Sequence, residues 1–245
     1  MRTANPALSQ KTFSNIDRSA SGRTMTIQGT VNKTGILLAL LVASASYTWK
    51  LAGDGDLAKV QTLLGVGAFG GLIVAMITIF KKTAVPVTGP IYAVLEGLFV
   101  GGISALFEMR YPGIVIQAVM LTFGTAFSLL LAYKTRMIKV TENFKLGIVA
   151  ATGGIAVLYL VSMVMGFFGT QIPLIHESGL VGIGFSLFVV VIAALNLVLD
   201  FDFIENGAKA GAPAYMEWYG AFGLIVTLVW LYIEILRLLA KLRDR

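Results

Sequence analysis

The feature that most constrains this chain is a succession of apolar stretches too long and too poor in charge to suit water. Uncharged runs cover Thr34 to Trp49, Val60 to Phe80, Tyr111 to Tyr133, Leu146 to Ile175 and Ser178 to Leu199, while Ile91 to Phe107 and Gly220 to Leu239 are apolar apart from embedded charges. Most can cross a hydrocarbon core of roughly 30 Å as helices of about 20 residues. Backbone in lipid must satisfy its own hydrogen bonds, and a helix does so within one segment. The expected fold is therefore all-α, a polytopic bundle of seven transmembrane helices over residues 31–245. A soluble, partly disordered arm is expected over residues 1–30.

Composition agrees. The chain is 57% hydrophobic and 13% charged, against about 25% charged in an ordinary soluble domain. The net charge of +6 is spread over membrane boundaries and gathered on no recognition element, so anionic lipid heads suit it better than nucleic acid. There is no cysteine, which excludes disulfides, thiolate chemistry and cysteine metal sites. The single histidine, His176, stands beside Glu177 between two runs and falls short of a metal set. No HExxH, GxSxG or Walker pattern occurs, and Gly65, Gly67 and Gly70 lie inside an apolar run rather than after a strand, so neither an enzyme nor a bound cofactor is expected. The arm carries Arg2, Lys11, Arg18 and Arg23 without an apolar core close behind Met1, unlike a cleaved signal peptide.

Charge also bears on orientation. Lys81 and Lys82 follow the second run, and Lys134, Arg136, Lys139 and Lys145 against Glu142 follow the fourth. The opposite connections hold Lys50, Asp54, Asp56 and Lys59, which balance, then Glu108 with Arg110, and His176 with Glu177. The positive-inside tendency then places the N-terminus in the cytoplasm. The end of the chain disagrees, because seven crossings put Arg237, Lys241, Arg243 and Arg245 outside and Asp200, Asp202, Glu205 and Glu217 inside. An even number of crossings with one re-entrant segment would restore the pattern, but the last two runs are each long enough to span.

Small residues at close-approach spacing, Gly67 with Gly71 and Gly97 with Gly101, read as helix-packing positions. Gly153, Gly154, Gly166, Gly169, Gly182 and Gly184 are read in the same way. Pro86 and Pro90 bracket a stiff turn ahead of helix three, with Pro90 in its first turn. Trp49, Tyr111, Tyr133, Trp218 and Tyr219 lie near run ends and read as interfacial anchors.

Acids inside apolar runs are where function is expected. Glu96 lies about two turns into helix three, and Asp200 closes helix six, followed by Asp202. If helices three and six are neighbours, Glu96 and Asp200 meet at the inner end of the bundle and can share a proton or hold a cation. The plainer alternative leaves Asp200 and Asp202 as helix-end residues in the polar interface. Glu234 precedes Arg237 by three residues, one helix face, which suits either an intrahelical ion pair with Arg237 reaching outward or a polar pore lining. Thr227 shares that face roughly 10 Å away.

Several segments together resemble the Bax inhibitor-1 family, including its YccA-like and YetJ-like bacterial membrane proteins. They are Met25 to Val31, Pro90 to Ser104 with its Leu-Glu-Gly-Leu-Phe-Val-Gly core, Leu195 to Ile204, and Gly220 to Leu239; the resemblance spans residues 25–242. It implies a seven-helix fold with the last helix central, a passive, pH-dependent Ca²⁺ leak, and partnership in some members with an FtsH-type membrane protease. It also implies a sensor in which an aspartate at the end of helix six pairs with one in helix seven. Asp200 matches the first in Leu-Asp-x-x-x-Ile. The gap-free placement of Gly220 to Arg237 puts Thr227 at the second, which departs from the family pattern and leaves Glu234 two turns further on.

The leading expectation is thus a pH-sensitive cation leak, Ca²⁺ foremost, in the bacterial inner membrane. Its site residues are Asp200 and Glu96 as a weak cation site, with Thr227, Glu234, Asp202 and Arg237 along the path. The alternative is a non-transporting interaction protein acting on a membrane protease. In either case the bilayer is the surroundings and the chain is a monomer or weak oligomer.

Overall fold

The structure, a computed structural model, describes residues 22–169 and 179–244. Among them are seven long helices: α1 (Ile27–Gly53), α2 (Leu57–Phe80), α3 (Val85–Arg110), α4 (Ile114–Lys134), α5 (Glu142–Phe167), α6 (Leu180–Lys209) and α7 (Tyr215–Arg243). A single 3₁₀ turn, Lys82–Ala84, precedes α3. No β-sheet occurs among the described residues, only the isolated bridge of Thr24 with Pro213. All seven helices are long and apolar enough to cross a membrane. The all-α, seven-helix membrane-spanning bundle expected from the sequence is the fold found. His176 and Glu177, and most of the N-terminal arm, lie outside the described residues.

The helices start where polar caps permit. Thr26 caps α1 by accepting from Gly29 N at 2.9 Å, and Thr141 caps α5 by accepting from Phe144 N at 3.2 Å. Asp56 caps α2 through Lys59 N at 3.2 Å, and the Lys59 side chain beside it holds its carboxyl below the usual carboxylate range. Gly113 enters α4 at φ 79°, backbone that a side chain would strain.

Two compact units emerge from the packing, and each is described by itself. One contains the described residues up to Pro112 together with Phe203–Val226. Here α3 packs extensively against both α1 and α2, which touch each other far less. Glycine sets that approach. A Cβ on Gly67 would stand 2.6 Å from the Leu95 carbonyl, and one on Gly97 or Gly101 would overlap Ser44 and the backbone of α1 at Leu41 and Ala45. Both glycine pairs therefore do what their spacing suggested, Gly71 by giving room to the Glu96 side chain.

The second unit contains Gly113–Asp202 and the chain from Thr227 onward. Its apolar centre joins Ile155 of α5 with Val189 and Ile192 of α6, covered by Ala151, Tyr159, Phe185 and Trp230. Helices α6 and α7 each contribute to both units and are the most buried of the seven.

Five expectations need correction. Helix α6 does not end at Asp200 but continues to Lys209, so Asp200, Asp202 and Glu205 are all helical. Pro86 occupies the first turn of α3, whereas Pro90 is inside the helix, where it withholds one backbone donor. Tyr219 is fully buried and is no interfacial anchor. Gly153, Gly154, Gly166 and Gly184 face open space within 4 Å and are not close-packing positions, while Gly169 follows α5 at φ 73°. Lys145, counted in the sequence as a loop charge, lies in α5 and is 1% exposed.

Candidate functional site

The intramembrane acids are held differently, and the differences follow from where each helix sets them. Glu96 is one turn beyond Tyr92 on α3, and the Tyr92 hydroxyl hydrogen-bonds its carboxylate. A Cβ on Gly71 would lie 3.1 Å from Glu96 Oε2, so the acid rests against the bare backbone of α2. Tyr92 is buried and meets Phe222 of α7 edge-on, ring centroids 4.9 Å apart. Glu96, itself half-buried, thus rests against α2 and is oriented from its own helix, one turn from the contact of Tyr92 with α7.

Asp200 is completely buried, at 0% exposure, nine residues before the end of α6. The turns leading to it are nearly as closed: Ala193, Ala194, Asn196, Leu197, Val198 and Leu199 are all buried. A segment buried on all sides must carry its polar groups inside the protein, and Asn196, one turn before Asp200, donates to Thr152 Oγ1 of α5 at 2.9 Å and to Ile192 O at 2.8 Å. Thr227, on α7, is 3% exposed. Glu96 and Asp200 fall in different compact units, so their expected pairing stays a proposal.

Asp202 has a partner the sequence did not reveal. Lys145 Nζ lies 2.9 Å from Asp202 Oδ2 and 3.5 Å from Glu142 Oε1, joining α5 to α6. The ammonium is buried while Glu142 is largely exposed, so Asp202 supplies most of the compensation a buried cation needs.

Toward the other end of α7, Glu234 is 1% exposed. Arg237 Nη1 donates to its Oε1 at 3.0 Å, the intrahelical pair its spacing allowed, with the Arg237 side chain 45% exposed. Tyr159 of α5 donates to the same carboxylate, 3.0 Å from each oxygen, and its ring lies 5.4 Å under the Arg237 guanidinium. One turn beyond Arg237, Lys241 Nζ donates to Ser186 Oγ at 2.8 Å and to Gly182 O at 3.1 Å. Arg243 reaches Gln117 of α4 at 3.0 Å. Tyr159 was missed in the sequence, although a tyrosine deep in the uncharged run Leu146 to Ile175 is a signal, since its hydroxyl needs a partner when buried.

A third set surrounds Glu217 in the first turn of α7. Its carboxylate accepts from Thr26 N at 2.9 Å, Thr26 Oγ1 at 2.8 Å and Lys33 Nζ. Glu205 of α6 pairs with Lys209 one turn on. The structure therefore carries buried and half-buried carboxylates joined to lysine and arginine in several separate pairs, an arrangement consistent with an intramembrane ionic network. Among the described residues, no group of three or more His, Asp or Glu lies close enough to hold a metal ion.

A family model described as Bax inhibitor 1 like matches residues 5–244. No match was found among curated proteins or among solved structures. The chain belongs to the Bax inhibitor 1-like family.

Proposed function

We propose that this member of the Bax inhibitor 1-like family is a passive, pH-sensitive cation pathway, with Ca²⁺ as its foremost cargo, in a bacterial inner membrane with its N-terminus in the cytoplasm. The observation that carries the reading is Asp200: a carboxylate at 0% exposure inside a spanning helix, at the position where the family resemblance expects its acid. An ionisable group buried in a spanning helix marks an ion or proton pathway by default. Glu96 is its counterpart on α3, and Thr227 supplies a hydroxyl where the family pattern has a second aspartate. Asp202 tunes the inner end through Lys145. Glu234 and Arg237 line the opposite end of the path.

Titration supplies the pH response. An ionised carboxylate attracts a cation, and its protonated form does not, so occupancy of the path by cations falls as these groups take up protons. The test is Ca²⁺ flux into liposomes containing the purified protein between about pH 5.5 and about pH 8. Wild type is compared with Asp200→Asn and Glu96→Gln, each of which mimics the protonated acid. The expected outcome is a pH-dependent flux that Asp200→Asn renders flat and Glu96→Gln shifts. Wild-type flux no greater than that of empty liposomes at every pH overturns the reading. That outcome favours a non-transporting partner of an FtsH-type membrane protease, whose binding would be lost on removal of residues 1–24.

A further inference from the structure

The residues just before α1 make a structure of their own, independent of the acids in the proposed path. Met25 N donates to Ala212 O at 2.6 Å, Ala214 N donates to Arg23 O at 3.2 Å, and Thr24 pairs with Pro213 in an antiparallel bridge. Residues 23–26 therefore lie as a strap across the short connection between α6 and α7. Met25 is 2% exposed, and its methyl group would lie 3.6 Å from a Cβ on Gly220.

The strap ends at Thr26, whose side chain does two jobs. It accepts from Gly29 N as the cap of α1 and donates to Glu217 Oε1. Glu217 also takes the Thr26 backbone N–H and, through its other oxygen, the Lys33 ammonium. Lys33 in turn stands 5.6 Å over the Trp218 ring. One carboxylate thus gathers the end of the strap, the first turn of α1 and the second turn of α1 onto the first turn of α7. Any side chain at Gly29 would overlap that carboxylate, so the glycine is the condition for its seat.

We infer that residues 23–26 are a strap fastened by Glu217, which makes the root of the N-terminal arm and the start of α7 move as one piece. Helix α7 is the helix that carries Thr227 and Glu234. A pull on the arm is therefore a pull on α7, and loss of the Glu217 contacts leaves the strap held only by the backbone bonds of residues 23 and 25 to the connection before α7. The strap stands whether or not the protein conducts ions.

Trypsin reports the strap directly, because Arg23 is exposed but its carbonyl is engaged by Ala214 N. The rate of cleavage after Arg23 in the full chain, reconstituted in lipid nanodiscs, is compared with that in a synthetic peptide of residues 19–30. Wild type is expected to be strongly protected. Glu217→Gln and Lys33→Met are expected to raise the rate by roughly tenfold or more, with the double variant no faster than the quicker single one, as charge-assisted bonds to one carboxylate are lost.

A second variant guards against simple misfolding. Residues facing each other in an antiparallel bridge stand at about 4.5–5.5 Å between Cα atoms, within disulfide range. A Thr24→Cys, Pro213→Cys pair in this cysteine-free chain, combined with Glu217→Gln, is expected to recover protection when oxidised and lose it when reduced. Wild-type cleavage as fast as the peptide's, or equal rates in wild type and Glu217→Gln, overturns the strap. Ca²⁺ flux measured on the oxidised and reduced forms is a separate reading. Zero flux in every form removes the conduction proposal, leaving the proteolysis result to judge the strap.

Discussion

Glu234 holds two donors, Arg237 on its own helix and the half-buried Tyr159 on α5, and their separate and joint worth can be measured. Arg237 donates from a side chain 45% exposed in the last two turns of α7, where its head can reach the polar interface, so the pair is worth about 1 kcal/mol rather than the several of a buried pair. Tyr159 donates from α5 to a carboxylate only 1% exposed. Interhelical hydrogen bonds in membrane proteins average about 0.6 and reach about 1.7 kcal/mol. Tyr159→Phe and Arg237→Leu are each expected to cost about 1 kcal/mol, and the double variant more than their sum, because the carboxylate would then be left without either donor. Thermal unfolding in detergent of the two single variants and the double checks this; strict additivity would mean the three groups do not act as a unit. Lys145 is a sharper case. Its ammonium is buried, so Lys145→Met strands Asp202 and is expected to cost about 3 kcal/mol, most of it recovered when Asp202→Leu is added. No recovery in the double variant would show that the ion pair is not what makes Lys145 matter.

The helices divide into those that tolerate an added methyl group and those that do not. On α3, Gly97 and Gly101 are pressed against α1, so Gly97→Ala and Gly101→Ala are expected to lower stability by about 1–3 kcal/mol or to prevent folding. On α5, Gly153 and Gly154 meet nothing within 4 Å, and Ala there is expected to be neutral or stabilising by up to about 1 kcal/mol. Parallel thermal unfolding of the four variants checks the contrast, and a loss at Gly153→Ala as large as at Gly97→Ala would contradict it. The same contrast marks what the sequence could say. Glycine spacing identified α3 correctly because Gly97 and Gly101 stand four apart amid large residues, but the equally glycine-rich α5 looked no different. Helix existence was legible because seven apolar runs have no other solution in lipid. Helix ends were less so, since an apolar run stops at its first charge whereas a helix stops when its backbone does. Thus α6 passes Asp200, with Asp202 and Glu205 neutralised by Lys145 and Lys209. The Glu234–Arg237 pair was visible as a spacing on one helix. Tyr159, Lys145 and Lys33 were not visible as partners, because each reaches an acid on another helix.

For the whole molecule, the unresolved tension in the sequence was the reversed charge of its last third. The structure changes how those charges count. Asp202, Glu205 and Glu217 each have a lysine beside them, Lys145, Lys209 and Lys33. Of the basic residues near the end, Arg237 is paired with Glu234, Lys241 binds Gly182 O and Ser186, and Arg243 binds Gln117. Acids weigh little in the positive-inside tendency, and the first helices usually decide orientation. The basic C-terminal end is therefore compatible with seven crossings, and α6 and α7 run continuously over 30 and 29 residues, leaving no re-entrant break between them. Seven crossings make a definite prediction about sidedness. Single cysteines placed at the exposed positions Asp54, Pro112 and Asp244 should react with a membrane-impermeant maleimide from one side, and those at Lys81, Thr135 and Ala210 from the other. The chain has no native cysteine to confuse the labelling. If the cytoplasmic orientation proposed for the N-terminus holds, intact cells label the first set alone. Labelling of Asp244→Cys together with Lys81→Cys would mean an even number of crossings, so that one of the seven helices enters and leaves on the same side.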